Sequence, residues 1–225
     1  MALLLLLALL TVCAATPRDL SGKMFTFPQQ TNTAQVRMTT SRQNLRAVTV
    51  CLRSFTDHRR DQSLFSLATP SGDNQFLMFK KAADDRLDIW ARNHWSDFSG
   101  LNYKINTWLS ICSTWDAVSG LAQVWIDGKP SNRKFISSGS NINGPIIIVL
   151  GQEQDSHGGG FDIKQSFVGM MSDVHMWDYV ISPREIQNYA NLFISFTPGN
   201  VLNWRALEFQ TTGRVLIEDE QWSIT

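Results

Sequence analysis

The order of apolar and polar positions along the chain predicts strands almost throughout. After an apolar run at residues 2–15, short alternating runs follow one another: Gly22–Pro28 around Met24-Phe25-Thr26-Phe27, Ala34–Met38, Ala47–Phe55, Gln62–Ala68, Phe76–Phe79 and Arg86–Ala91. Trp108–Cys112, Leu121–Ile126, Ile146–Leu150 and Val168–Trp177 continue the series. Period two places alternate side chains on opposite faces, as in a half-buried strand. Turn chemistry falls between the runs: Pro70-Ser71-Gly72-Asp73-Asn74, Asp84-Asp85 and Asp127-Gly128. Many short strands at near-regular spacing predict an all-β, two-sheet antiparallel sandwich or jelly roll.

One segment departs from period two. Ser182-Pro183-Arg184-Glu185 reads as a capping box with proline at the first helical position, predicting one short helix over 183–190. Ile186, Tyr189 and Ala190 share its apolar face. The first run, residues 2–15, is shorter than the roughly 20 apolar residues a membrane span needs. It ends in small residues and reads as a signal peptide cleaved near Ala15, although a basic leading segment is missing. That leaves one domain over 16–225 and implies a secreted, extracellular protein.

Composition narrows the function. The 225 residues carry 20 basic and 20 acidic side chains, so the formal net charge is zero. No basic stripe argues for nucleic acid. Of the three cysteines, Cys13 lies in the leader, leaving Cys51 and Cys112 either as a disulfide in an oxidising compartment or as two buried thiols.

The densest candidate chemistry lies in Leu150–Ser166. A buried-type strand ends there, and Gly158-Gly159-Gly160 prevents any regular element from continuing. Glu153, Asp155 and Asp162 crowd around the glycines with the amides Gln152, Gln154 and Gln165. Such carboxylates repel one another unless a cation sits among them. Calcium accepts carboxylate, amide and carbonyl oxygens alike. The residues alone leave two readings open, a solvated acidic loop and a calcium site. An enzyme is not expected. Glu153 and Asp155 have the i, i+2 spacing of a glycosidase pair, but Gly158 stands where a Glu-x-Asp-x-x-Glu pattern needs its last carboxylate. His175, inside an apolar strand, reads as core.

Several stretches together resemble the pentraxin family. Cys112-Ser113-Thr114-Trp115 resembles its signature, Gly151-Gln152-Glu153-Gln154-Asp155-Ser156 its calcium loop, and Asp127-Gly128-Lys129-Pro130 its hairpin. Val174–Val180 leads into Ser182-Pro183 as in that family, and Asn200–Leu207 is similar to its C-terminal strand. Two signature positions differ, Ser110 in place of His and Ala117 in place of Ser or Thr. The resemblance spans essentially the whole chain after the leader. It implies a flattened jelly roll, a Cys51–Cys112 bridge and a cyclic homopentamer.

It also implies two adjacent calcium ions per subunit. Their ligands would be Asp73 and Asn74 from the turn after Pro70, Glu153, Asp155 and the Gln154 carbonyl, with Asp162 and Gln165 completing the second site. The implied function is calcium-dependent recognition of phosphocholine or phosphoethanolamine head groups on microbes or damaged cells, or alternatively of galactose-type glycans. Complement and phagocyte receptors are the implied further partners. Leu77 and Phe79, on the Asp73 face of their strand by period two, would take the choline methyls, with a core role as the alternative for Leu77. A gapless alignment puts His94 about where the family has a glutamate for the choline cation; Asp88 and Asp97 lie near it in sequence.

Overall fold

Strands β1 (Lys23–Phe27), β2 (Gln35–Thr39), β3 (Asn44–Leu45), β4 (Ala47–Phe55), β5 (Gln62–Thr69), β6 (Gly72–Lys80), β7 (Leu87–Ala91), β8 (His94–Phe98) and β9 (Leu109–Asp116) make up the first half of the chain. They are followed by β10 (Leu121–Ile126), β11 (Lys129–Pro130), β12 (Lys134–Phe135), β13 (Ile142–Asn143), β14 (Ile147–Leu150), β15 (Gly169–Trp177), the helix α1 (Pro183–Ala190), β16 (Phe209–Thr212) and β17 (Leu216–Asp219). The computed structural model describes residues 16–82 and 86–221. The expected leader over 2–15, with Cys13, and the expected turn at Asp84-Asp85 lie outside the described residues.

Two antiparallel sheets form the sandwich. One runs β11-β10-β9-β4-β15-β1-β17, with β12 also paired to β10; the other runs β16-β2-β14-β5-β6-β7-β8. The inner faces meet in one core that includes Phe25, Phe65, Phe76, Met78, Ile89, Trp115 and Ile148. Facing sheets bury alternate side chains of each strand, which is why the sequence alternates. The expected all-β architecture with one short helix is therefore the observed one.

The outer face of the β4–β9–β15 sheet is not left to solvent. Helix α1 lies on it, burying Ile186 and Tyr189 against Cys51, Cys112, Trp125 and Trp177. Cys51 and Cys112 are directly opposed on β4 and β9 and form a disulfide. Closing a 61-residue separation restricts the unfolded chain by about 4 kcal/mol in the chain-entropy account. Ser182 caps the helix as expected, its Oγ accepting from Glu185 N at 3.2 Å. The reciprocal half of the capping box is not made. The Glu185 carboxylate accepts from Thr197 N instead, tying down the segment after the helix.

A second difference concerns the turn before β6. Thr69 pairs with Gly72, so Pro70-Ser71 alone make the turn. Asp73 and Asn74 consequently follow Gly72 as the second and third residues of β6, with the regular backbone of a sheet to hold them.

Candidate metal and ligand site

The loop from Gly151 to Phe167 crosses the outer side of β5 and is fastened to it by amides. Gln154 is completely buried. Its Nε2 donates to the Ser66 and Ile147 carbonyls at 3.0 and 3.2 Å, and its Oε1 accepts from Gly158 N at 2.9 Å. Gln62 Oε1 accepts from Val168 N at 3.0 Å at the far end of the loop. The Gln154 side chain is thus committed to the fold, consistent with a ligand role for its carbonyl rather than its amide.

The glycines act by close approach. Gly151 has φ +89°, and a Cβ there would stand 2.3 Å from the Phe27 ring. Beyond it, Ser156 and Gly159 exchange two main-chain hydrogen bonds, a two-residue turn over His157-Gly158. Gly160 (φ +77°) then folds back so closely that a Cβ would sit 2.9 Å from that of Asp155. Only glycine takes both the left-handed backbone and the contact.

This folding brings Glu153 to Asp155, Asp73 and Asn74. Glu153 is 3% exposed. Burial pushes its carboxyl up to about 7; the neighbouring Asp155 and Asp73 charges push the same way, and only a hydrogen bond from Asn74 opposes them. Asn74 is braced from a side that sequence reasoning missed. Arg92 and Asn93 (φ +54° and +63°) form the two-residue turn between β7 and β8. Asn93 Oδ1 accepts from Asn74 N at 3.0 Å, and Asn93 N donates to the Asn74 carbonyl at 2.9 Å. An asparagine tolerates this backbone, and its position after Arg92 was the available signal.

The remaining oxygens fit a cation. Asn74 Oδ1, Glu153 Oε2 and Gln165 Oε1 are all buried acceptors without a hydrogen-bond donor. Each such group costs about 1–3 kcal/mol if nothing replaces the lost water. The donor set is oxygen only, which suits calcium. Among the described residues no three His, Cys, Asp or Glu side chains form a ready-made metal cage, so amide and main-chain oxygens have to share the coordination.

Asp162 is placed differently from the other carboxylates. It is exposed and caps the short 3-10 turn Ile163–Gln165, its Oδ1 accepting from Lys164 N at 2.9 Å. The cation acting on it is Arg60, whose Nη2 donates to the adjacent Ile163 carbonyl at 2.8 Å.

Leu77 and Phe79 are 3% and 6% exposed and belong to the outer side of the sheet, outside the central core that takes Phe76 and Met78. Leu77 stands opposite Trp90, and Trp90 opposite Trp95; Phe79 stands opposite Asp88, and Asp88 opposite Asp97. Opposed residues project to one face. His94 pairs with the core residue Ala91 and so belongs to the other parity. The residue beside Leu77 and Trp90 is Trp95.

On the helix side, His175 is fully buried, as expected of core. Its Nε2 lies 3.2 Å from Asp173 Oδ1, and Gly199 N donates to its Nδ1 at 3.2 Å. Burial alone would raise the Asp173 carboxyl, but His175 and Arg53 hold it below the usual carboxylate range.

The chain matches the Pentaxin family over residues 23–219. It is 39% identical to the C-reactive protein of Sus scrofa over 98% of this chain and 96% of that one. It is 37% identical to the mucosal pentraxin of Mus musculus, covering 91% and 90%. The heptameric SAP-like pentraxin of Limulus polyphemus superposes with a TM-score of 0.81 at 28% identity, covering 90% of this chain and 97% of that one. The match runs through both sheets, the Cys51–Cys112 bridge and the Gly151–Phe167 loop: the chain belongs to the pentraxin family.

Proposed function

We propose that this protein is a secreted, calcium-dependent recognition protein that captures oxyanion-bearing groups, phosphate or carboxylate, on the surfaces of microbes or damaged cells. The observation that carries the reading is the buried Glu153 carboxylate beside Asp155 and Asp73, with acceptor oxygens of Asn74, Glu153 and Gln165 left without donors. Asp73, Asn74, Glu153, Asp155 and the Gln154 carbonyl hold a first calcium ion. Asp162 and Gln165, with Glu153 and Asp155 shared, hold a second. Four carboxylates balance two divalent charges. The ions supply open coordination positions for ligand oxygens. The chain's part is to fix the donors: β6 presents Asp73 and Asn74, Asn93 braces Asn74, and Ser66 anchors the loop at Gln154.

Binding rather than catalysis follows from the same geometry. The His175 ring is fully buried among the aromatic rings of Trp177, Tyr189 and Phe196, the setting of a core side chain rather than of an acid–base pair open to a substrate. A cyclic oligomer, a pentamer by family resemblance, would multiply weak single contacts into avidity. Display of bound particles to complement and phagocyte receptors is the wider role this implies. Calorimetric titration with calcium, followed by retention on phosphorylated and saccharide matrices with and without chelator, tests the reading. Absence of calcium uptake at millimolar concentration would overturn it.

A further inference from the structure

The far half of the Gly151–Phe167 loop is fastened by contacts from within the chain that the calcium reading does not use. They meet at one atom. The Ile163 carbonyl, at the start of the short 3-10 turn Ile163–Gln165, accepts from Arg60 Nη2 at 2.8 Å, Gln30 Nε2 at 3.1 Å, Ser166 Oγ at 2.8 Å and Ser166 N at 3.4 Å. Four donors converge on an oxygen that has two lone pairs. Two of them come from outside the loop. Gln30 lies in the connection between β1 and β2, and Arg60 in the connection between β4 and β5. Asp162 is the cap of the same turn, so whatever holds the Ile163 carbonyl also holds that carboxylate.

Arg60 is the donor that brings charge. It is half-buried, and its Nη1 is enclosed without an acceptor. A solvated surface arginine avoids that cost of about 1–3 kcal/mol. Burial works against the guanidinium charge, and Asp162 and Asp61 are the anions that support it. Asp61 is already engaged, by Lys81 Nζ and by Ala82 N at 2.6 Å, which leaves Asp162 as the partner by charge. Asp162 belongs to a loop that also carries Glu153 and Asp155, where each carboxylate raises the cost of the others. A guanidinium fixed at Ile163 relieves that repulsion. It also repels any divalent ion that approaches Asp162, so the contact is worth more to the loop before calcium binds than after.

We propose that Arg60 is a built-in counter-cation for this loop: strapped to the Ile163 carbonyl, it positions the turn that carries Asp162 when calcium is withdrawn, and calcium has to outcompete it there. The second clause rests on the calcium reading; the first does not, and the experiment separates them. Chymotrypsin cleavage after Phe161, the half-buried residue just before Asp162, reads local opening of the turn. Cleavage after Phe193, 86% exposed beyond α1, serves as the remote control. Wild type, R60Q and R60K are digested with calcium and with chelator, and the fragments are identified by mass. In chelator, R60Q is expected to be cut after Phe161 roughly tenfold faster than wild type or more, and R60K, which keeps the charge, to stay close to wild type. Cleavage after Phe193 should be equal in all three, and calcium should return R60Q to the wild-type rate. Equal rates for wild type and R60Q in chelator, or R60K as susceptible as R60Q, overturn the counter-cation. So does a parallel rise after Phe193, which would mean that R60Q loosens the whole domain. Calcium that leaves R60Q as susceptible as in chelator overturns the calcium reading at this turn, and the chelator comparison then decides the role of Arg60 by itself.

Discussion

The outer faces of the two sheets each carry a carboxylate whose neighbours shift it, Asp173 on one and Glu153 on the other, with opposite outcomes. Under α1, Asp173 meets His175 and Arg53, and the Tyr189 hydroxyl donates to its carbonyl at 2.7 Å. Its charge is answered within the chain, and its carboxyl is held low. On the other sheet, Glu153 meets Asp155 and Asp73, and its carboxyl is pushed up to about 7. Burial is common to both; the sign of the neighbours decides. The first face is closed by its own helix and works for stability. The second, on the proposed reading, takes up a cation and works for binding. Substitutions should therefore divide cleanly, those under the helix costing stability without touching calcium, and those around the loop doing the reverse.

The largest expected effect is on the helix side. Replacing Cys51 and Cys112 together with alanine should cost about 4 kcal/mol of unfolding free energy, since the bridge joins β4 to β9 beneath α1. Calcium affinity should be unchanged in the surviving folded fraction. Denaturant melts with a calcium titration check both; a fall in calcium affinity of tenfold or more would break the division between the faces.

Glu153→Gln should show the opposite behaviour. A carboxyl raised in the folded state favours folding below its unfolded value near 4.5, and that contribution is lost as pH rises through about 7. Above that range the ionised group costs on the order of 3 kcal/mol in calcium-free protein. In chelator at pH 8 the variant should therefore melt higher than wild type, and at pH 5 the two should converge. With calcium at one thousand times its dissociation constant, wild type gains about 4.1 kcal/mol and the order should reverse. Calcium affinity of wild type should fall below pH 7, because the ion must displace a proton. Melting temperatures of both proteins at two pH values, with calcium and with chelator, check the reversal and the convergence.

How far the sequence reveals these two faces depends on the range of the interactions that build them. Alternation located nearly every long strand, because a two-sheet core acts on every second residue. The Ser182 cap was legible because it is local. The Glu185 partner was not: the carboxylate turns to Thr197, a choice set by the chain's path after the helix. The loop's acidic residues were visible, yet which of them meet depends on Gly160 folding onto Asp155 and on Asn93 arriving from another hairpin. Trp95 escaped for a similar reason. A gapless count chose His94, and only the two-residue turn at Arg92-Asn93 fixes which neighbour shares the Leu77 face.

Asp173→Asn sharpens the comparison on the helix side. Asparagine tolerates the positive φ of +52° there, so the change removes charge while keeping shape. Loss of charged hydrogen bonding to His175 and Arg53 should cost about 2 kcal/mol at pH 7. Because this carboxyl is lowered on folding, its contribution is present above the unfolded value of about 3.9 and fades as pH falls through the folded one. The gap between wild type and variant should thus close in acid, whereas the Glu153→Gln gap opens in base. A constant gap from pH 3 to pH 8 would show that packing, not charge, sets the cost. Calcium uptake should not change.

The smallest expected change in stability falls at Asp162. Its Oδ1 caps the 3-10 turn through Lys164 N, and asparagine caps as well as aspartate, so Asp162→Asn should alter unfolding free energy by less than about 0.5 kcal/mol. Its effect on binding should be out of proportion to that. In the proposed arrangement the first ion would have Asp73, Asn74, Glu153, Asp155 and the Gln154 carbonyl. The second would depend on Asp162 and Gln165, and Asp162 would have to reach it while Arg60 competes for its charge. The second ion should therefore be the weaker in wild type. Removing the Asp162 charge should abolish it while the first remains, and ligand retention should go with it. Arg60→Gln, relieving the competition, should strengthen the second ion several-fold. Calcium calorimetry of the three proteins decides: two ions with unchanged affinities in Asp162→Asn would remove this carboxylate from the site, leaving Glu153, Asp155 and Asp73 to hold whatever calcium binds.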